Sequence, residues 1–438
     1  MKIAVIGGGI AGMGTAYALS EAHEVHLFER ESRLGGHANT VDAHFGSATV
    51  PVDTGFIVYN QRNYPNLCGL FEHLEVPTKW SDMSFGLSVN GGQIEYACDN
   101  LDQIFAQRSN LLRPSFLRGL RDILRFNREA PEQLDSGALD GLTLAEFLEG
   151  NGYSAWFRDH FVLAMGGAIW STPTAQMLDF PAASFVHFFR NHDLMNGMQP
   201  MQRWRTVDGG SREYVSRLAA RFPGKVHLRA EAVQVTRAGG QPRVRFADGS
   251  DAAFDQVVLA CHGPQARAML GDADTQEREI LDSFRTAPNL AVLHSDPALM
   301  PKRRKVWSSW NFLSAPDPAR DANPVPVTYW MQRLQGIDPA YPLFVSLNPS
   351  RAIDPERIHR TFSYDHPVYD SRAFAAQQRI GTIQGQGGVW YAGAWLGYGF
   401  HEDGLRAGLA VAHALGARPE WAGDLPAPAA GYLAKAAE

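Results

Sequence analysis

The chain has 438 residues, 45% of them hydrophobic and 20% charged, with a formal net charge of −6 at neutral pH. That length exceeds one comfortable hydrophobic core, so two packed domains are expected. The acidic balance gives no electrostatic basis for nucleic-acid binding, and no run reaches the roughly 18 uninterrupted apolar residues of a membrane span.

Lys2-Ile3-Ala4-Val5-Ile6 reads as a short buried strand, with no basic or cleavable apolar leader before it in this sequence. Cys68, Cys98 and Cys261 have neither metal-ligand spacing nor an even disulfide framework. A reducing, cytoplasmic setting and no bound metal are therefore expected. The strand runs into Gly7-Gly8-Gly9-Ile10-Ala11-Gly12, a G-x-G-x-x-G turn, and then into a helix-forming run over 13–20. A second strand over 23–28 ends in the acid Glu29. Each part has a task in holding a dinucleotide. Gly7 permits the tight turn, Gly9 lets the backbone of Gly9, Ile10 and Ala11 approach a pyrophosphate, and Gly12 brings helix and strand together. The helix N-terminus offers free N–H groups and a positive dipole end to the phosphates, and Glu29 is placed to accept ribose hydroxyls.

Further along come Arg30, Arg33, the pair Gly35-Gly36, His37, and then Val52-Asp53-Thr54-Gly55-Phe56. Residues 224–237 read as paired strands around Val233, and 255–260 as a buried strand returning to the sheet. Near the end, Val389 to Trp395, including Gly393, lead through Gly397-Tyr398-Gly399-Phe400-His401-Glu402-Asp403-Gly404 into a helix over 405–415. This ordered set resembles the extended fingerprint of the FAD-dependent amine oxidase-like flavoproteins. The resemblance implies non-covalent FAD, with Arg30, Arg33, Gly35, Gly36, His37, Thr54, Gly55 and Phe56 along the diphosphate and ribityl chain. It places the Val233 backbone against adenine. It assigns Gly393, His401, Glu402, Asp403 and Leu405 to the closing motif, whose helix N-terminus stabilises negative charge near flavin N1 and O2.

The implied fold class is α/β, a Rossmann-type FAD-binding domain plus an α+β substrate domain. The FAD domain is discontinuous (1–80, 205–285 and 375–420), the substrate domain is built from 81–204 and 286–374, and 421–438 forms a tail. Helical periodicity dominates 101–204, and strands are expected at 290–293, 326–330 and 343–347.

Asn60 to Pro65 (NQRNYP), Trp80 to Phe85, Ala168 to Ser171, Ser308 to Leu313, His366-Pro367 and GYGFHEDG at 397–404 carry a narrower resemblance. Together they look like the flavoprotein domain of plant cyclopropane fatty acid synthases and its free-standing bacterial relatives. That resemblance implies lipid acyl chemistry and, as a partner, a cyclopropane synthase-type methyltransferase. The chain departs from the wider amine oxidase pattern at three points. His37 stands where an arginine is usual, Trp395 replaces an acid, and Phe400 replaces a flavin-facing tyrosine. Covalent flavin attachment through a C-terminal cysteine is excluded because the last cysteine is Cys261. Lys302 and Lys305 read as a solvated basic loop rather than a lysine at flavin N5.

The stretch opening with Pro114 and closing with Glu129 reads as an amphipathic helix. Phe116, Leu117, Leu120, Ile123 and Leu124 share one face, and Arg118, Arg121, Arg125 and Arg128 the other. Such a helix either caps a domain or lies on anionic lipid as a peripheral contact at the inner face of the membrane. Phe180, Phe185, Phe188 and Phe189 are expected mainly in the core. Trp170, Tyr329, Trp330, Tyr398 and Phe400 are the substrate-facing candidates, while His187 and His192 read as structural. The leading expectation is an FAD-dependent oxidoreductase that desaturates or isomerises an unsaturated, methylated or cyclopropane-bearing acyl chain by hydride transfer to flavin N5. The alternatives are an amine oxidase and a non-turnover flavoprotein partner of a methyltransferase.

Overall fold

A computed structural model describes residues 1–195, 203–314 and 325–423. The chain builds two main sheets. The first is five-stranded and parallel, in the spatial order Lys225–Leu228, Glu24–Glu29, Lys2–Ile6, Gln256–Leu259, Val389–Tyr391. The central strands Lys2–Ile6 and Gln256–Leu259 are almost wholly buried, as their β-branched apolar runs require. Helices Ile10–Leu19 and His401–Ala414 pack against each other. Their approach depends on small residues: a Cβ on Gly408 would lie 2.5 Å from the Ala11 carbonyl oxygen, and one on Gly14 would lie 2.3 Å from Leu405 Cδ1.

The second sheet has seven strands in the order Ile358–Val368, Arg285–His294, Phe344–Leu347, Val327–Trp330, Trp310–Leu313, Phe85–Val89, Ile94–Ala97. The strands expected at 290–293, 326–330 and 343–347 all lie in it. A helical layer over residues 101–191 covers this side and includes the long helix Pro114–Asp135 and the aromatic helix Ala182–Asn191. A small sheet of Tyr59–Asn60, Trp204–Val207 and Thr78–Ser81 joins the two halves.

Several expected boundaries move. The first helix starts at Ile10 rather than 13, because the Gly9 carbonyl already accepts from the Met13 N–H at 2.8 Å. The last helix starts at His401 rather than 405, because Asp403 folds back to accept the Tyr398 and Phe400 N–H groups at 3.0 Å. Residues 224–237 are not a strand pair. Lys225–Leu228 extends the parallel sheet, whereas Ala232–Thr236 pairs antiparallel with Arg243–Phe246. Of the expected tail, residues 421–423 are docked: Trp421 stacks against Tyr17 and His73, and the Gly423 N–H donates to Asn66 Oδ1 at 3.0 Å. Residues 424–438 lie outside the described residues.

Candidate cofactor and substrate site

The first strand delivers its turn to the edge of a large cavity. Gly7 has φ +113°, a conformation that L side chains resist, and a Cβ there would meet the Ala260 carbonyl oxygen at 2.5 Å. A Cβ on Gly12 would lie 1.8 Å from the Gly7 oxygen, so helix and turn close only on glycine. Gly9 differs. Nothing lies within 4 Å of where its Cβ would be, and Gly9 lines the cavity. No side chain caps the helix that follows, so its first-turn N–H groups have no side-chain partner. A bare turn, donors without a side-chain cap and open space in front of Gly9 together fit a diphosphate.

The Gly35-Gly36 loop is tied to this turn. The Gly35 N–H donates to the Gly8 oxygen at 2.8 Å, and Arg33 donates to the carbonyls of Leu34, Gly36 and Ala38. Arg33 thus lines the cavity but spends much of its donor capacity bracing the loop. Arg30 lies beside it in the lining, paired with Glu31. Glu29 accepts the Gly8 N–H at 2.6 Å and the Glu31 N–H at 2.8 Å, one on each oxygen. Each oxygen keeps further accepting capacity, and Glu29 lines the cavity, which suits ribose hydroxyls. Val233 lines the same end and sits at a bulge between Ala232 and Gln234.

Thr54, Gly55 and Phe56 form the next stretch of wall, with the Phe56 N–H on the His37 oxygen at 2.9 Å. The Thr54 hydroxyl lies 2.7 Å from that of Tyr364, which also takes a bond from Asn39. His37 packs against Tyr364, His262 and His366, and His401 stacks on Phe56 with ring centroids 3.7 Å apart. Burial lowers His37 and His262 to about 4, and His366 and His401 to about 3, so these imidazoles are neutral. The residue at the usual arginine position is therefore uncharged in the cofactor-free protein.

The closing motif divides. Gly393, His401 and Gly404 line the cavity, which puts the N-terminal end of the last helix at its wall. The Glu402, Asp403 and Leu405 side chains do not line it, so what these residues can offer a cofactor is the backbone of the helix N-terminus. Glu402 accepts the Asn66 N–H, the Asn66 side-chain amide and the Leu67 N–H, capping the helix Pro65–His73. Asp403 ties down the 398–400 loop and pairs with Arg406 at 3.1 Å, while Leu405 fills the space above Gly14. Cys261 also reaches the cavity, but burial raises its thiol to about 12 and makes it unreactive.

Beyond the dinucleotide end the lining becomes aromatic and then aliphatic. Trp170, Tyr329, Tyr398 and Phe400 all face the cavity, Phe400 stacking on Phe188 at 5.2 Å. Trp330 does not. Successive strand residues point to opposite faces, and Trp330 packs instead against Trp307 and the Arg304 guanidinium. Phe180, Phe185 and Phe189 are fully buried core residues, whereas Phe188 and His192 line the cavity. His187 is held by Asn191, as a structural histidine would be. Lys302 and Lys305 lie outside the lining, the latter paired with Asp102. The far wall is Leu101, Ile104, Phe105, Leu120, Ile123, Leu124, Phe161 and Met165. Two carboxylates there, Asp82 and Asp99, share the Arg333 guanidinium. The Tyr329 hydroxyl has no hydrogen-bond partner among the described residues.

The cavity measures about 2120 Å³. Single-ligand pockets rarely exceed about 1,000 Å³, so this one has room for a cofactor and a substrate end to end. Sequence reasoning missed His262, Tyr364 and Arg333. His262 follows the strand Gln256–Leu259 and precedes a proline at a helix start, a local signal that was available. Tyr364 and Arg333 reach the site only through sheet order.

The parallel sheet, glycine turn and shared cavity define a dinucleotide-binding protein with a second half closing over the same cavity. The sequence matches the flavin containing amine oxidoreductase family over residues 10–307, and the chain belongs to that family. Its cofactor is FAD, and it is an FAD-dependent oxidoreductase. Solved structures share the fold. A fatty acid isomerase from P. acnes, described as producing CLA, superposes with a TM-score of 0.65 at 16% identity, covering 93% of this chain and 96% of that one. Cyclohexylamine oxidase from Brevibacterium oxydans gives 0.67 at 17%, covering 94% and 98%. Putrescine oxidase bound to putrescine gives 0.64 at 14%, covering 95% and 99%. No curated protein matches the chain. No helix among the described residues is long and apolar enough to cross a membrane.

Proposed function

We propose that this flavoprotein oxidises or isomerises a fatty acyl chain at a carbon remote from its polar end. The observation that carries the reading is the far wall of the cavity, an aliphatic and aromatic lining from Phe161 and Met165 to Leu120, Ile123 and Leu124. An alkyl chain gains about 0.8 kcal/mol for each methylene buried there. A substrate ammonium would need an acceptor, and Asp82 and Asp99 already face Arg333. Phe400, stacked on Phe188, supplies an apolar face rather than a phenol. The sharing of the fold with a fatty acid isomerase is compatible with this reading, as is the resemblance to cyclopropane synthase flavoprotein domains.

FAD, when bound, supplies a hydride acceptor. A mid-chain methylene has no acidic proton, so the protein's contribution is orientation and exclusion of water rather than a strong base. Loss of hydride from an allylic carbon leaves a delocalised cation, which the π faces of Tyr398, Phe400 and Trp170 stabilise. Departure of a proton from the neighbouring carbon then gives desaturation. Return of the hydride at the far allylic carbon gives isomerisation without net oxidation.

Anaerobic mixing of the FAD-loaded protein with unsaturated and cyclopropane-bearing acyl lipids, and separately with primary amines, tests the reading. Bleaching of the flavin absorbance by an acyl lipid, or formation of an isomer without net bleaching, supports it. Bleaching by amines alone makes the protein an amine oxidase. Inertness to both, with stable binding of a cyclopropane synthase-type methyltransferase, makes it a non-turnover partner.

A further inference from the structure

Five of the twelve exposed large apolar side chains among the described residues fall in one short span: Leu101, Leu111, Leu112, Leu117 and Leu124. Leu112 is 86% exposed and Leu124 is 68% exposed, values that no folding requirement explains. The long helix Pro114–Asp135 does not divide as its sequence suggests. Its buried stripe is Phe116, Gly119, Asp122, Phe126 and Ala130. Leu117 and Leu124, seven residues apart and so within about 20° of each other around the helix, point outward with Arg121 and Arg128. The outward face is therefore mixed, leucine interleaved with arginine.

The charge there runs against that of the molecule. Residues 108–128 hold six arginines and one acid, Asp122, in a chain of net charge −6. Asp122 is buried and accepts the Ser154 N–H at 2.9 Å, so it does not neutralise the surface. Neighbouring acids are already engaged, Asp102 by Arg108 and Lys305, and Glu129 by Arg125 and Arg128. Arg118 and Arg121 are exposed and have no partner among the described residues. The same elements form the cavity wall: Leu101 and Leu124 are both exposed and cavity-lining, with Leu120 and Ile123 just inside.

We infer that this face docks on an anionic phospholipid bilayer, with Leu112, Leu117 and Leu124 entering the interface and Arg118 and Arg121 meeting lipid phosphates. Leucines of this kind supply apolar insertion, and flanking arginines supply attraction that falls with salt. Continuity of the patch with the cavity gives an acyl chain a route from bilayer to wall without crossing water. The docking stands on the surface alone, whereas the route rests on the acyl reading above.

The test is flotation of the FAD-loaded protein with phosphatidylglycerol-containing and purely phosphatidylcholine vesicles. The expected result is binding to the anionic vesicles, weakened by salt, and little to the neutral ones. R118Q/R121Q should reduce that binding about 25-fold, since each arginine near an anionic surface contributes about fivefold. L117S should reduce it further, and all variants should retain the wild-type flavin spectrum. No flotation, equal flotation on both vesicle types, or an unaffected arginine variant would overturn the inference. Flavin reduction by a dispersed acyl substrate is measured in parallel without vesicles. Turnover without flotation, read as flavin reduction or as an isomer formed without it, removes the docking surface and leaves the acyl reading, while flotation with neither does the reverse.

Discussion

Substituting alanine at Gly9 and at Gly12 separates the two jobs of the glycine turn. Gly9 has φ −77° and ψ −177°, a conformation open to any residue, and its missing Cβ points into space with no atom within 4 Å. Gly9→Ala should leave the cofactor-free protein within about 0.5 kcal/mol of wild type. The added methyl then occupies the space the diphosphate needs. Overpacking of one methyl costs about 1–3 kcal/mol, which weakens FAD about 5- to 150-fold. Gly12→Ala puts its Cβ 1.8 Å from the Gly7 oxygen and 3.2 Å from Ala260 Cβ, both inside the folded chain. The same cost of about 1–3 kcal/mol then appears in the fold itself, before any cofactor is added. Thermal melts with and without FAD read both effects. FAD at about 100 times its dissociation constant stabilises by about 2.7 kcal/mol, and Gly9→Ala should lose much of that shift at the same FAD concentration. A Gly9→Ala protein that binds FAD as wild type, or melts as early as Gly12→Ala without it, would refute the reasoning.

Buried histidines make the cofactor-free protein acid-sensitive. His37, His192, His262 and His294 are lowered to about 4 by burial, and His366 and His401 to about 3. Below about pH 6.5 the unfolded chain binds protons that the folded one refuses, so stability is complete above that pH and is lost progressively toward pH 4. A melting temperature flat between pH 7.5 and 5 would contradict this, and His401→Gln should reduce the slope by about one proton. Glu402→Gln weakens the cap on Asn66 and Leu67, and should cost about 1–3 kcal/mol in chemical denaturation while leaving the shape of the flavin spectrum unchanged. An unaltered denaturation midpoint would show that cap to be dispensable. Tyr329→Phe should alter KM or kcat for the active substrate with little effect on melting, whereas Trp330→Ala should lower the melting temperature and leave flavin reduction rates alone. The opposite pattern would mean that the strand faces the other way.

The aromatic candidates show where sequence reasoning stops. Tyr329 and Trp330 are adjacent and equally suited to a substrate wall. Alternation says only that they point apart; pairing with Trp310–Leu313 and Phe344–Leu347 decides which one faces the cavity. The 114–135 helix is a similar case. Its periodicity gives an apolar stripe, but only the partners packed against Phe116, Phe126 and Ala130 decide that Leu117 and Leu124 are left outside. Glu402 and Asp403 have the composition of a binding motif and are spent as caps, because buried N–H groups from Asn66, Leu67, Tyr398 and Phe400 need acceptors.

Sequence by itself determined the cofactor end: strand, glycine turn, helix, second strand and Glu29 are contiguous, and their chemistry is that of backbone atoms a few residues apart. The Gly35-Gly36 loop is legible for the same reason, since close backbone approach restricts side chains locally, whereas of the closing-motif residues assigned to the cofactor only Gly393 and His401 reach the cavity wall. Tertiary structure alone decided the substrate end. Tyr364 comes from one strand, Arg333 from the short helix Met331–Gln335 after another, and the pair Leu120 and Ile123 from a third element, and the three sources are far apart in the chain. Their meeting depends on sheet order and helix rotation, which are settled by the whole core at once rather than by any local pattern.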